Sequence, residues 1–133
     1  FLMGDLTENF SRSEFACQCG CGFDCVDAEL VSNLEWLRYK VAETVGAAIS
    51  IVITSGNRCL AHNHKEGGVD SSKHTKGLAC DFKCLRSDNK ALIDTDIVAD
   101  IIDAEYPNFY GIGRYSNRLH WDMRKTKARW DSR

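Results

Sequence analysis

The chain has 133 residues, enough for one domain with one core and too few for two. Hydrophobic residues at 44% and charged residues at 27% are ordinary globular composition. A net charge of -2 argues against nucleic acid as the main partner, and no apolar run reaches the ~20 residues of a membrane span.

The start, Phe1-Leu2-Met3-Gly4-Asp5, is too short and too acidic for a signal peptide. Residues 1–26 read as a Cys-rich, irregular segment packed on the domain, with a helical turn near Ser11–Phe15. Asp27 is placed to cap a helix running to about Val45, with Leu30, Leu34, Leu37 and Val41 on one face and Gly46 as its stop. Residues 49–54 are largely β-branched and predict a buried strand. A loop from Ser55 to about Lys76 is rich in Gly, Asn, Ser and His; loops of that length inside small domains are usually functional.

A second strand is predicted over Leu78–Cys84. A helix follows over Asn89 to Glu105, with Ile93, Ile97 and Ile101 on one face and Pro107 blocking its extension. Phe109–Arg114 and Arg118–Arg124 predict a hairpin turning at Tyr115-Ser116-Asn117. This order implies a single α+β domain spanning residues 1–133, with a mostly antiparallel sheet and flanking helices. Asp94, Asp96, Asp100 and Asp103 read as solvated. Lys125, Lys127, Arg129 and Arg133 read as a solvated basic tail that could also touch an anionic polymer.

Three side chains form a candidate metal set. In the last strand Leu119, Trp121 and Met123 alternate with His120, Asp122 and Arg124, so the polar trio shares one face. His74 and Asp81 stand seven residues apart, about 23 Å on an extended strand or about 10 Å on a helix. They can share an ion only if the chain folds back, and Gly77 between them permits the turn. His74, Asp81 and His120 would give two imidazoles and one carboxylate, a set that suits zinc and leaves a coordination position open.

Seven cysteines are many for this length. Cys17-Gln18-Cys19-Gly20-Cys21 is a dense cluster, and Cys59 lies where it could join. Three alternatives stand open: a second, structural zinc, disulfides such as Cys17 or Cys21 to Cys59, or thiols. Cys80 alternates with Asp81 and reads as a buried small hydrophobe. His62 and His64 belong to the long loop.

Ser72-Lys73-His74-Thr75-Lys76-Gly77-Leu78-Ala79-Cys80-Asp81 resembles the SxHxxGxAxD signature of the zinc D-alanyl-D-alanine carboxypeptidase family. That family includes phage endolysin peptidases, and the hedgehog signalling domain shares its fold. Asn9-Phe10-Ser11 through Cys21-Gly22, Thr54-Ser55-Gly56-Asn57-Arg58-Cys59, and Tyr110-Gly111-Ile112-Gly113-Arg114-Tyr115 with His120-Trp121-Asp122 resemble a small phage and bacterial branch. The resemblance implies a hedgehog/DD-peptidase-like fold, one catalytic zinc on His74, Asp81 and His120, and Arg58 as an oxyanion and substrate contact. Ser72 would bond substrate or support a ligand.

Many relatives carry a carboxylate three residues before the last histidine; here that position is Asn117. Asp122 is therefore the expected proton acceptor, its rival role being to orient an imidazole or Arg124. The implied activity is zinc-dependent hydrolysis of peptidoglycan stem peptides by a monomer, as carboxypeptidase or endopeptidase. It would act at the bacterial cell wall after phage release or within a virion. The alternative is an inactive, zinc-containing wall-binding or virion module.

Overall fold

A computed structural model describes residues 4–22, 24–58, 63, 65, 66 and 72–133. Cys59, His62, His64 and Gly67-Gly68-Val69-Asp70 lie outside these described residues. The first helix, α1 (Ala28–Val45), starts where Asp27 accepts a hydrogen bond from the Leu30 N–H and ends at Gly46 in the left-handed region. Its apolar stripe, Leu30, Leu34, Leu37 and Val41, is buried as the spacing predicts. Phe10 and Phe15 from the N-terminal segment join the same core.

Five strands form one sheet in the order β1-β2-β4-β3-β5. They are β1 (Ile49–Ser55), β2 (Ala79–Arg86), β3 (Gly111–Arg114), β4 (Leu119–Asp122) and β5 (Ala128–Asp131). The first four pair antiparallel, while β5 adds parallel to β3. The architecture is thus α+β with a mostly antiparallel sheet. Cys80, Phe82, Ile112, Leu119 and Trp121 are buried in the same apolar core as α1 and the second helix.

Three predicted features differ in the structure. β1 is an edge strand rather than a buried one, with Ile49 and Ile51 inward and Val52 exposed. The second helix, α2 (Thr95–Glu105), starts six residues later than predicted, because Asp94 caps it through the Asp96 N–H. Residues before the cap fold back along β2 instead, where Ile93 N–H donates to Cys84 O. Ile93 therefore lies outside the helix, Ile97 faces solvent, and the buried face is Val98, Ala99 and Ile102.

The basic tail is the third difference, since it is a strand with paired cations. Arg129 bridges to Asp103, and Arg114 and Arg133 to Asp96. Arg129 also donates to the carbonyls of Tyr106, Phe109 and Tyr110, which serves the end of α2 and the turn after it.

Candidate metal centre

Strand register builds the site. Across the sheet, Ser55 pairs with Asp81, Asp81 with His120, His120 with Gly113, and Gly113 with Trp130. One cross-sheet row thus carries a ligand carboxylate beside a ligand imidazole. His74 arrives from a 3-10 turn, Lys73–Lys76, whose end at Gly77 takes φ 70 and sends the chain back into β2. This is the reversal that the separation of His74 and Asp81 requires. Ser72 caps the turn by accepting the His74 N–H, so its hydroxyl holds the ligand's backbone.

The three side chains converge. His120 Nδ1 lies 3.0 Å from Asp81 Oδ1, and His74 Nε2 lies 3.4 Å from the same oxygen. The ligand atoms of the set all fall within 4.8 Å of one another. Zinc–ligand bonds of about 2.0–2.1 Å in tetrahedral geometry separate neighbouring donors by about 3.3 Å. The distances to Asp81 therefore fit a zinc-sized ion.

The outer ring nitrogens fix the tautomers. His74 Nδ1–H donates to the Gly56 carbonyl at 2.7 Å, leaving Nε2 as the acceptor on the Asp81 side. His120 Nε2–H donates to Asp122 Oδ2 at 2.7 Å, leaving Nδ1 toward Asp81. A lone pair on Nδ1 then faces a carboxylate oxygen, and only a cation or a proton between them relieves the repulsion. Burial disfavours a charged His120, but hydrogen bonds to Asp122 and Asp81 overcome it and raise its pKa. Burial likewise opposes ionisation of Asp81, yet the two histidines hold its carboxyl far below the usual range. The pattern is that of a site built to hold positive charge.

Asp122 is not in the cleft. It is fully buried behind His120, where Gly111 N–H, Arg124 N–H and the Arg124 guanidinium also donate to it. Burial opposes its ionisation, but His120 and Arg124 prevail and keep it a carboxylate. Asp122 thus meets His120 at Nε2, while Asp81 meets the same ring at Nδ1. Glycine at 111 and 113 makes the packing feasible. A Cβ at Gly111 would stand 2.4 Å from Asp122 Oδ2, and one at Gly113 2.4 Å from the Trp130 ring.

Arg58 places its guanidinium 3.7 Å from Asp81 Oδ2 and is tied to Asn63 at 3.1 Å. Arg118 approaches the same oxygen at 3.9 Å. It had not been singled out, although it stands two residues before His120 and so shares its face. Arg58, Arg118, Asp81, Gln18, Thr54, Ser55 and Glu66 line a cleft of about 360 Å³, room for the end of a short peptide. Ser72 is not among the residues lining it.

A family model described as Peptidase M15 matches residues 8–122. The chain belongs to the M15 peptidase family. A search of curated proteins finds no match. Membership makes the chain a peptidase-type hydrolase, and M15 peptidases are zinc-dependent. The donor set of this M15 member fits that metal: two imidazoles, one carboxylate, and a hydrogen-bonded partner behind each ring.

Elsewhere the cysteines divide. Cys80 is fully buried, and burial pushes its thiol well up; Cys84 is likewise pushed to about 12. Cys17, Cys19 and Cys21 gather in one turn. No helix among the described residues is long and apolar enough to cross a membrane.

Proposed function

We propose that the protein is a zinc peptidase of bacterial peptidoglycan stem peptides, a D-alanyl carboxypeptidase or an endolysin-type endopeptidase. The observation that carries this reading is the pair of guanidinium groups, Arg58 and Arg118, that flank Asp81 of the His74, Asp81 and His120 set and line one cleft with it. A peptide's terminal carboxylate, or the oxyanion formed when its carbonyl is attacked, is drawn to such a pair.

His74, Asp81 and His120 would hold a zinc ion, which would supply Lewis acidity and lower the pKa of water toward about 7. The chain's own groups do the rest. Asp122 and the Gly56 carbonyl keep both imidazoles in the tautomer that presents a lone pair to the site. Arg58, anchored by Asn63, steadies the negative carbonyl oxygen. Besides Asp81, the described lining of the cleft includes one further carboxylate, Glu66. Glu66 takes the proton from the attacking water and returns it to the leaving amine. Action at the wall follows from the substrate, with the enzyme carried there by lysis or within a particle.

Asn117 sits exposed at the hairpin turn and favours a second reading, an inactive zinc-containing wall-binding or virion module. Incubation with purified peptidoglycan and with short D-alanyl peptides, with and without a chelator, separates the two. Release of new amino groups that stops with chelator and returns with zinc is the expected result. Wall binding by zinc-loaded protein without any release would assign it to the second reading.

A further inference from the structure

The three cysteines of the run Cys17-Gln18-Cys19-Gly20-Cys21-Gly22 are not among the residues lining the cleft, and the backbone that carries them is specialised. Gly20 and Gly22 both adopt left-handed φ, 83 and 89, although a Cβ at either would meet nothing within 4 Å. Glycine is therefore there for the chain path and not for space. Gly20 N–H donates to the Cys17 carbonyl at 3.2 Å and closes a tight turn.

The turn gathers three sulfurs. The Sγ atoms of Cys17, Cys19 and Cys21 all lie within 4.8 Å of one another, and the Cys17–Cys19 pair is 3.4 Å apart. Tetrahedral zinc with Zn–S bonds of about 2.3 Å separates neighbouring sulfurs by about 3.8 Å. The Cys17–Cys19 separation lies just under that value and no pair exceeds it by more than about 1 Å, so small side-chain rotations suffice to close the set. Cys17 is buried while Cys19 and Cys21 are exposed, which leaves the outer side open to a fourth donor. Three thiolates and no oxygen donor select a soft or borderline ion over magnesium or calcium.

We propose that Cys17, Cys19 and Cys21 form a second metal site, a structural one for a thiophilic divalent cation of the zinc class. Binding releases the thiol protons and fixes a segment whose described residues, between the 3-10 turn at Arg12–Phe15 and α1, form no helix or strand. Its location gives it a purpose. Gln18, between the first two cysteines, donates to the Thr54 carbonyl at 2.6 Å and lines the cleft with Arg58, Asp81 and Arg118. The Phe15 carbonyl just upstream accepts the Asn57 N–H at 2.8 Å, beside Arg58. A metal here braces one wall of the cleft, whatever substrate that cleft takes.

The test uses the full chain, loaded separately with zinc and with cobalt(II). Elemental analysis of the zinc-loaded protein is expected to give one more ion per chain than in Cys19→Ser or Cys21→Ser, both at exposed positions where folding tolerates serine. His74→Ala is expected to lose an ion as well, but a different one. Cobalt distinguishes them: thiolate-to-cobalt charge-transfer absorption in the near ultraviolet should persist in His74→Ala and vanish in Cys19→Ser. Cobalt-loaded wild type without that absorption overturns the proposal, as does zinc content unchanged in both cysteine variants. Either result leaves the histidine site untouched, since its loss is read in His74→Ala alone.

Discussion

His120 is gripped between two carboxylates, with Asp81 3.0 Å from Nδ1 and Asp122 2.7 Å from Nε2 on the opposite edge of the ring. One carboxylate shares the cation site and the other sets the tautomer. Asp122→Asn should therefore weaken zinc binding by roughly 10–100-fold while activity at saturating zinc largely survives. Glu66→Gln should show the reverse, unchanged zinc affinity with kcat reduced by about 10²–10⁴. Chelator competition and steady-state kinetics on a D-alanyl peptide distinguish the pair. A zinc-saturated Asp122→Asn protein as inactive as Glu66→Gln would return the proton-transfer role to Asp122.

Close packing behind His120 gives a second prediction. Methyl groups at 111 and 113 would meet Asp122 and Trp130 at 2.4 Å. Gly111→Ala should disturb the Asp122–Arg124 bonds and cost about 1–3 kcal/mol, with a parallel loss of zinc affinity. Gly113→Ala meets a ring at the surface end of the row, which can swing aside, so its thermal melt should shift less. Equal shifts in the two variants would show that Trp130 is as rigidly held as Asp122.

Much of this arrangement was legible beforehand, and the reasons differ by residue. Alternation along Leu119–Arg124 assigns His120 and Asp122 to one face without any knowledge of neighbours. Gly77 marks the reversal that unites His74 with Asp81. Alternation cannot say which edge of the imidazole each carboxylate meets, so Asp122 was expected in the cleft. That distinction needs the antiparallel register of β2, β4 and β3. The start of α2 was misplaced because Ile93, Ile97 and Ile101 have helical spacing, while the cap at Asp94 excludes the first of them. β5 was missed because its charges, Arg129 and Asp131, look like a solvated end when their partners on α2 and the tail are unseen.

Acid should loosen the N-terminal segment. Glu35 on α1 accepts the Asn9 backbone N–H at 2.8 Å and its side-chain amide at 2.6 Å. Burial raises the Glu35 pKa, but the bonds from Asn9 help to outweigh it and the net shift is downward. A depressed folded pKa means the contribution is complete above the unfolded value of about 4.3 and is lost as pH falls through the folded one. Glu35→Gln should thus cost about 1 kcal/mol near neutrality and less in acid, where wild type has lost the same charge. Urea unfolding on both sides of that range reads the difference. A deficit that stays constant with pH would mean the ionised form has no special role.

Arg129 offers a test of the strand that was read as a tail. Its guanidinium serves four carbonyls, those of Tyr106, Phe109, Tyr110 and Ala128, and Asp103 in a planar fork that lysine cannot copy. Arg129→Lys should lose about 2 kcal/mol and resemble Arg129→Ala more closely than wild type. Full rescue by lysine, measured by chemical denaturation, would reduce the role to plain charge.

The family match ends at residue 122, while the row that begins at Ser55 finishes on Trp130. A recombinant fragment cut at the match boundary would bare the hydrogen-bonding edge of β3 and strip the indole that lies 5.1 Å from the His120 ring. Such a fragment invites strand-to-strand aggregation between molecules and opens the back of the histidine to water. Anyone trimming the gene for expression, or fusing a tag, should leave residues up to 131 intact and put a flexible spacer after them.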